Sequence, residues 1–235
     1  MKISLARRVV AECLGTGFLV AAVIGSGVMA ERLAGGNTAL APLANTIATG
    51  AALVALIFAF ARISSAHLNP VVTLVDALEQ GLPWKETPYY IVGQILGGIS
   101  GAIVAHLMFG LPLISFSGHV RSGAPQVLSE FVATFGLVSV IWGCSRLRSA
   151  VPFAVGAYIT AAYWFTASTS FANPAVTIAR CLSDTFAGIR PRDVPWFVMA
   201  QFLGGLAATL LFRWLLPNLE ERSKDVLVAH DSASK

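Results

Sequence analysis

Two Asn-Pro pairs carry the most distinctive chemistry in this chain. Asn69-Pro70 runs on as Val71-Val72-Thr73, and Asn173-Pro174 runs on as Ala175-Val176-Thr177. Asn is a favoured helix N-cap, and Pro suits the first helical position, where no intrahelical partner awaits an N–H. Each pair therefore predicts a helix start. The apolar stretches that follow, near 69–80 and 173–184, are short. At 1.5 Å per residue each makes a helix of about 15 Å, half of a hydrocarbon core about 30 Å thick. A helix that begins at mid-membrane leaves unpaired N–H groups there, so it must be buried or face water. Its N-terminus also carries about half an elementary positive charge. Two such ends meeting at one point would repel cations, while the Asn amides donate hydrogen bonds to a passing solute.

Other polar residues lie where apolar ones are expected. Glu12 and Glu130 fall inside apolar spans. An intramembrane carboxylate is a candidate proton relay. The alternative is a structural acceptor for the backbone of the loop leading into each half-helix. His67 precedes the first Asn-Pro pair. It could gate with pH, its unperturbed pKa being about 6.5, or hold the loop through a hydrogen bond. His106 and His119 read as span-end and loop residues. Tyr163, Trp164 and Phe165 read as interface anchors or packing rather than solute contacts. Cys13, Cys144 and Cys181 are widely spaced in apolar stretches and give no metal or disulfide framework.

The elements that position these groups are membrane spans. Of the 235 residues 56% are hydrophobic and 12% charged, and the mean hydropathy is +0.72. A soluble domain of this size needs more charge than that. Apolar stretches near 8–29, 40–61, 88–109, 127–145, 150–168 and 195–216 are long enough to span a bilayer. The first follows a basic start with no convincing cleavage site, so it is expected to be retained. The net charge of +4 is spread over short gaps between spans. That pattern suits lipid headgroups and topology, not nucleic acid. With the N-terminus inside, Lys2, Arg7, Arg8, Arg62, Lys85, Arg146, Arg148, Arg213, Arg222, Lys224 and Lys235 fall on the inner side. Arg32, Arg121, Arg180, Arg190 and Arg192 fall on the outer side. This excess predicts cytoplasmic termini.

An internal repeat sets the architecture. Ala11-Glu12-Cys13-Leu14-Gly15-Thr16 matches Ser129-Glu130-Phe131-Val132-Ala133-Thr134. The two Asn-Pro blocks match each other, and Gly93-Gln94-Ile95-Leu96-Gly97-Gly98 matches Ala200-Gln201-Phe202-Leu203-Gly204-Gly205. Each repeat holds an odd number of full spans plus one half span, so the second enters from the opposite side. The expected fold is an all-α membrane protein with six transmembrane helices and two half-helices in two inverted repeats. One membrane domain is expected over 1–217, with repeats near 8–109 and 127–216 and a polar cytoplasmic tail at 218–235. Gly93, Gly97 and Gly101, matched by Ala200, Gly204 and Ala208, give the small-residue spacing of close helix crossings. No nucleophile–base pair, metal cluster or cofactor loop stands out, so neither enzyme chemistry nor a cofactor is expected.

On His67-Leu68-Asn69-Pro70 and Phe171-Ala172-Asn173-Pro174-Ala175, the sequence resembles the major intrinsic proteins, the aquaporin and aquaglyceroporin family, over about 11–216. The resemblance implies an hourglass pore with the two boxes, Asn69-Pro70-Val71 and Asn173-Pro174-Ala175, at its centre. It also implies a homotetramer in the cell membrane, the inner membrane if the source is a Gram-negative bacterium. It supports Glu12 and Glu130 as loop supports, and a hydrogen bond to the loop is the favoured role of His67. The first box departs in having Val71 for the usual Ala. Counting from the Asn residues, the family's outer filter falls on Thr49, Ala161, Ser170 and Val176. Gly50 after Thr49 fits that register. Val176 stands where the family usually has Arg.

A filter with no aromatic, His or Arg implies a wide opening for small neutral solutes: polyols such as glycerol, urea, and metalloid hydroxides such as arsenous acid, with water. Such an open filter also resembles that of bacterial aquaporins associated with arsenic resistance. Arg180, one turn beyond Val176, either restores the missing charge at the outer vestibule or simply complements a helix C-terminus. The alternatives are a channel mainly for water, a proton- or ion-coupled transporter, since inverted repeats and broken helices also occur there, and a non-conducting structural protein. Coupling would need ionisable groups on the pathway, and only Glu12 and Glu130 qualify.

Overall fold

Among the described residues, six of the eight α-helices open with a proline in their first turn, where its missing N–H costs no hydrogen bond. The computed structural model describes residues 3–145 and 147–216; the tail expected at 218–235 lies outside the described residues, as do Lys2 and Arg146 of the topology argument. The helices are α1 Leu5–Leu33, α2 Leu40–Ser64, α3 Pro70–Leu78, α4 Thr87–Phe109, α5 Ala124–Gly143, α6 Val151–Phe165, α7 Pro174–Arg180 and α8 Val194–Leu215. Five of them are long and apolar enough to cross a membrane. The sixth span, α6, is shorter than the expected 150–168, because the chain leaves the helix at Thr166 in an extended conformation and turns back toward α7.

The half-helices are also shorter than expected. α3 stops at Leu78, and Gln80 adopts a left-handed conformation (φ 61°) that cannot continue a right-handed helix. α7 ends at Arg180, where a turn through Cys181 and Leu182 begins.

The repeats are inverted and pack alike. α1 lies along α4 as α5 lies along α8, and α2 lies between α1 and α6. α3 and α7 each rest on α4 or α8 and touch one another. The small-residue stripes make the long crossings possible. A Cβ at Gly97 would run into the Cys13 carbonyl, and one at Gly101 into the Gly17 carbonyl. In the second repeat, a Cβ at Gly204 would meet the Phe131 carbonyl. Backbone contact at that range is what small residues permit in membrane helices.

Apolar side chains point both ways. Leu14, Phe18, Leu107, Leu128, Leu203 and Trp214 are exposed on the outer faces, which suits contact with lipid. The interior holds a continuous apolar cluster of α1, α2, α5 and α6 residues, including Leu19, Val23, Leu53, Ile57, Leu137, Ile141, Val155 and Ile159. Buried polar residues concentrate around the two half-helices.

Candidate solute pore

Each half-helix begins as its sequence dictates. Asn69 is extended (φ −158°, ψ 122°), and its side-chain oxygen accepts from the Val71 N–H at 2.9 Å. Asn173 is extended likewise (φ −158°, ψ 113°), and its oxygen accepts from the Ala175 and Val176 N–H groups at 3.0 and 3.3 Å. These caps satisfy donors that would otherwise be orphaned. The two amide groups are exchanged between the boxes. Asn69 Nδ2 donates to the Ala172 carbonyl at 2.8 Å, and Asn173 Nδ2 donates to the Leu68 carbonyl at 2.7 Å. Because an Asn amide has two N–H bonds, each retains one beyond this clasp. Asn69 and Asn173 both border a cavity of about 110 Å³.

The loops that descend to the boxes are strained. Ser65, Ala66 and Leu68 have positive φ in the first, and Thr169, Ser170 and Ala172 in the second. Such residues cost about 1–3 kcal/mol each and persist only where the surroundings fix them. The intramembrane carboxylates do the fixing. Glu12 accepts from the Ser64 hydroxyl at 2.6 Å, the His67 N–H at 3.0 Å, the Leu68 N–H at 2.6 Å and Gln94 Nε2 at 2.7 Å. Glu130 accepts from the Phe171 and Ala172 N–H groups at 2.9 Å each and from Gln201 Nε2 at 2.6 Å. Gln94 and Gln201 also donate to Thr73 and Thr177 on the half-helices, at 2.8 Å each. Neither carboxylate lines the cavity, and charge-assisted bonds of this kind are the strong ones. His67 does border the cavity, with Nδ1 3.1 Å from the Thr73 hydroxyl and Nε2 3.4 Å from the Asp76 carboxylate.

The cavity runs past the boxes. With the termini taken as inner, as the Lys/Arg bias leads one to expect, the cavity is bordered towards its inner end by Ile57, Ala61, Val151 and Pro152 and towards its outer end by Thr49, Tyr163, Ser170, Val176 and Arg180. Leu19, Val23, Leu53, Leu137, Ile141, Val155 and Ile159 form an apolar wall between them. Thr49, Ser170 and Val176 thus stand on the cavity.

Ala161 does not. It is exposed on the outer surface of α6 and touches no part of the cavity. Helix periodicity is the reason: Pro152, Val155, Ile159 and Tyr163 share the inward face, and Ala161 is turned about 200° from Ile159. The residue α6 contributes at the outer end is Tyr163, whose hydroxyl lies 3.3 Å from Thr49 Oγ1. Its neighbours Trp164 and Phe165 are exposed, as interface anchors would be. Tyr163 was discounted in sequence as one member of that aromatic run; the inward period of α6 is the signal that singles it out.

Arg121, counted in sequence only as an outer-side charge, is buried. Its guanidinium donates to the carbonyls of Gly188 at 2.8 Å, Ser168 at 3.0 Å and Phe186 at 3.4 Å, and to the Thr169 hydroxyl at 3.3 Å. Burial, then the nearby Arg180 charge, pull its pKa down to about 9. It straps the outer loops over the second descending segment.

The sequence profile described as Major intrinsic protein matches residues 1–149 and 145–235. The chain is 56% identical over 213 residues to the aquaglyceroporin AqpS of Rhizobium meliloti (strain 1021), covering 90% of this chain and 91% of that protein. It is 30% identical to the probable aquaporin AqpM of Archaeoglobus fulgidus, covering 92% and 99%. The crystal structure of the aquaglyceroporin from Plasmodium falciparum superposes with a TM-score of 0.75 over 93% of this chain and 99% of that one, at 19% identity, and so shares its fold. With the paired Asn-Pro boxes and the inverted helical repeats, these matches establish that the chain belongs to the major intrinsic protein family.

Proposed function

We propose that this protein is a passive channel for small uncharged solutes, with glycerol, urea and metalloid hydroxides such as arsenous acid as its substrate class and water passing as well. The observation that carries this reading is the uncharged lining of the cavity at the level of Val176, made by Thr49, Tyr163, Ser170 and Val176, with Arg180 bordering it one turn farther out. Hydroxyls on one side and an apolar wall on the other suit solutes that present both hydroxyl groups and carbon or metalloid. Selectivity in such a pore comes from diameter, lining donors and electrostatic barriers. The strong similarity to a protein named an aquaglyceroporin supports the same substrate class. The carboxylates that would have suggested proton coupling lie off the cavity and are engaged by the descending loops, which supports passive flux. In this reading the channel is a homotetramer with one pore per subunit, and both termini face the cytoplasm.

The test is stopped-flow light scattering on proteoliposomes, comparing water, glycerol and urea, with arsenous acid uptake assayed beside them. The wild type is expected to pass all of them. Val176→Arg should lower glycerol permeability by about tenfold, equivalent to about 1.4 kcal/mol at the barrier, while retaining water. A wild type that passes water alone would refute the substrate class.

A further inference from the structure

Arg180 is the last residue of α7, four residues beyond Val176 and so one turn outward on the same helical face. It is only 1% exposed, yet it borders the cavity. Two contacts hold it. Nε donates to the Ala187 carbonyl, and the guanidinium carbon lies 3.4 Å from the centre of the Phe171 ring. Tyr163 and Thr49, whose hydroxyls meet, border the same end of the cavity as Arg180. Arg121 lies against the same Phe171 ring, 5.0 Å from its centre, and adds a second cationic group behind the first.

No carboxylate forms an ion pair with Arg180 among the described residues. A basic residue serving only to complement a short helix would do so equally well in the open. Burial of an unneutralised guanidinium beside the solute path needs another reason, and within a membrane such groups characteristically mark ion or substrate pathways.

We infer that Arg180 is the specificity-determining cation of this pore: displaced one helical turn outward from Val176, it rejects cations and protons and donates hydrogen bonds to the oxygen atoms of neutral hydroxylated solutes, while the section at Val176 stays open. The inference rests on the channel reading above and deepens it. It explains how a wide section and an intact charge barrier coexist in one pore. Width is set at Val176 and charge at Arg180.

The test uses full-length protein in proteoliposomes and a matched pair of probes, urea and the guanidinium ion, which are close in size and planar shape but differ in charge. The wild type should pass urea and exclude guanidinium, sodium ions and protons. Arg180→Gln and Arg180→Met, two neutral variants that guard against one failing to fold, should raise guanidinium and proton leak per channel by about tenfold or more, because removing a nearby unit charge lowers the cation barrier. Arg180→Lys should stay near the wild type. Adding Val176→Arg to Arg180→Gln should restore exclusion by returning a charge to the inner position. A neutral variant that conducts urea but leaks no more than the wild type overturns the role of Arg180 and leaves the channel reading intact. A wild type that passes guanidinium as readily as urea overturns it without any variant. A wild type that passes neither urea nor glycerol overturns the channel reading and this inference together.

Discussion

The two half-helices are built on one plan and finished with opposite chemistry. At the offset of 104 residues that relates Asn69 to Asn173, the strained positions Ser65, Ala66 and Leu68 fall on Thr169, Ser170 and Ala172. Thr73 falls on Thr177, each held by a glutamine, and Val72 falls on Val176. The same offset takes His67 to Phe171 and Asp76 to Arg180. On the inner side the far end of the half-helix therefore carries a carboxylate against an imidazole. On the outer side it carries a guanidinium against a phenyl ring. The backbone architecture is duplicated because both loops face the same problem, unpaired N–H groups at mid-membrane. The residues one turn farther out are free of that problem, and there the repeats have diverged into an acidic end and a basic one.

Breaking the shared part should have the largest effect. Glu12→Ala strips the acceptor from four donors, and Glu130→Ala from three. Each variant should lose about 3 kcal/mol or more, since every buried donor left unpaired costs about 1–3 kcal/mol. Thermal unfolding in detergent, followed by loss of the monodisperse peak, should show both apparent Tm values falling, Glu12→Ala the further. Equal behaviour to the wild type in either variant would mean that the loops do not depend on the carboxylates.

The divergent part should give a smaller and one-sided effect. Asp76→Asn weakens the hold on His67 Nε2, for an expected loss of about 1–2 kcal/mol of stability. It should not alter the discrimination between urea and guanidinium, in contrast to neutral substitutions at Arg180. If Asp76→Asn made the pore leak cations, the two ends would share the barrier and the asymmetry would be lost.

The smallest effect tests the position on α6. Ala161→Phe adds a ring to the exposed surface and should leave glycerol permeability within about twofold of the wild type, as surface changes away from buried features usually do. Tyr163→Phe removes the hydroxyl that meets Thr49, so it should change the ratio of glycerol to water flux. A large effect at Ala161 with none at Tyr163 would restore the register counted from the Asn residues.

Much of this was legible in the sequence, because membrane insertion imposes strong patterns. Apolar length marks the spans, Asn-Pro marks the buried helix starts, and repetition of three blocks gives the inversion. The error at Ala161 came from counting backward from Asn173 through a segment with three left-handed residues, where linear distance does not fix the helical face. The 3.6-residue period of α6 itself carries that information. Arg121 was missed for a different reason. A loop arginine looks like any surface charge until the chain folds four acceptors around it, all between Ser168 and Gly188. Asp76 is visible as an acid in an apolar segment, but its partner His67 is named only by the turn between them.

The exchange of amides between the boxes bears on the order of folding. Asn69 finds its acceptor 103 residues downstream, and Leu68 offers its carbonyl to a donor 105 residues downstream. During synthesis the first half of the chain enters the membrane before either partner exists. Within its own repeat, the first descending loop has Glu12 to hold it but nothing to close its tip. The centre of the pore therefore cannot close until the second box has been made, and a nascent chain halted before Ala172 holds an unfinished aperture rather than half of a channel.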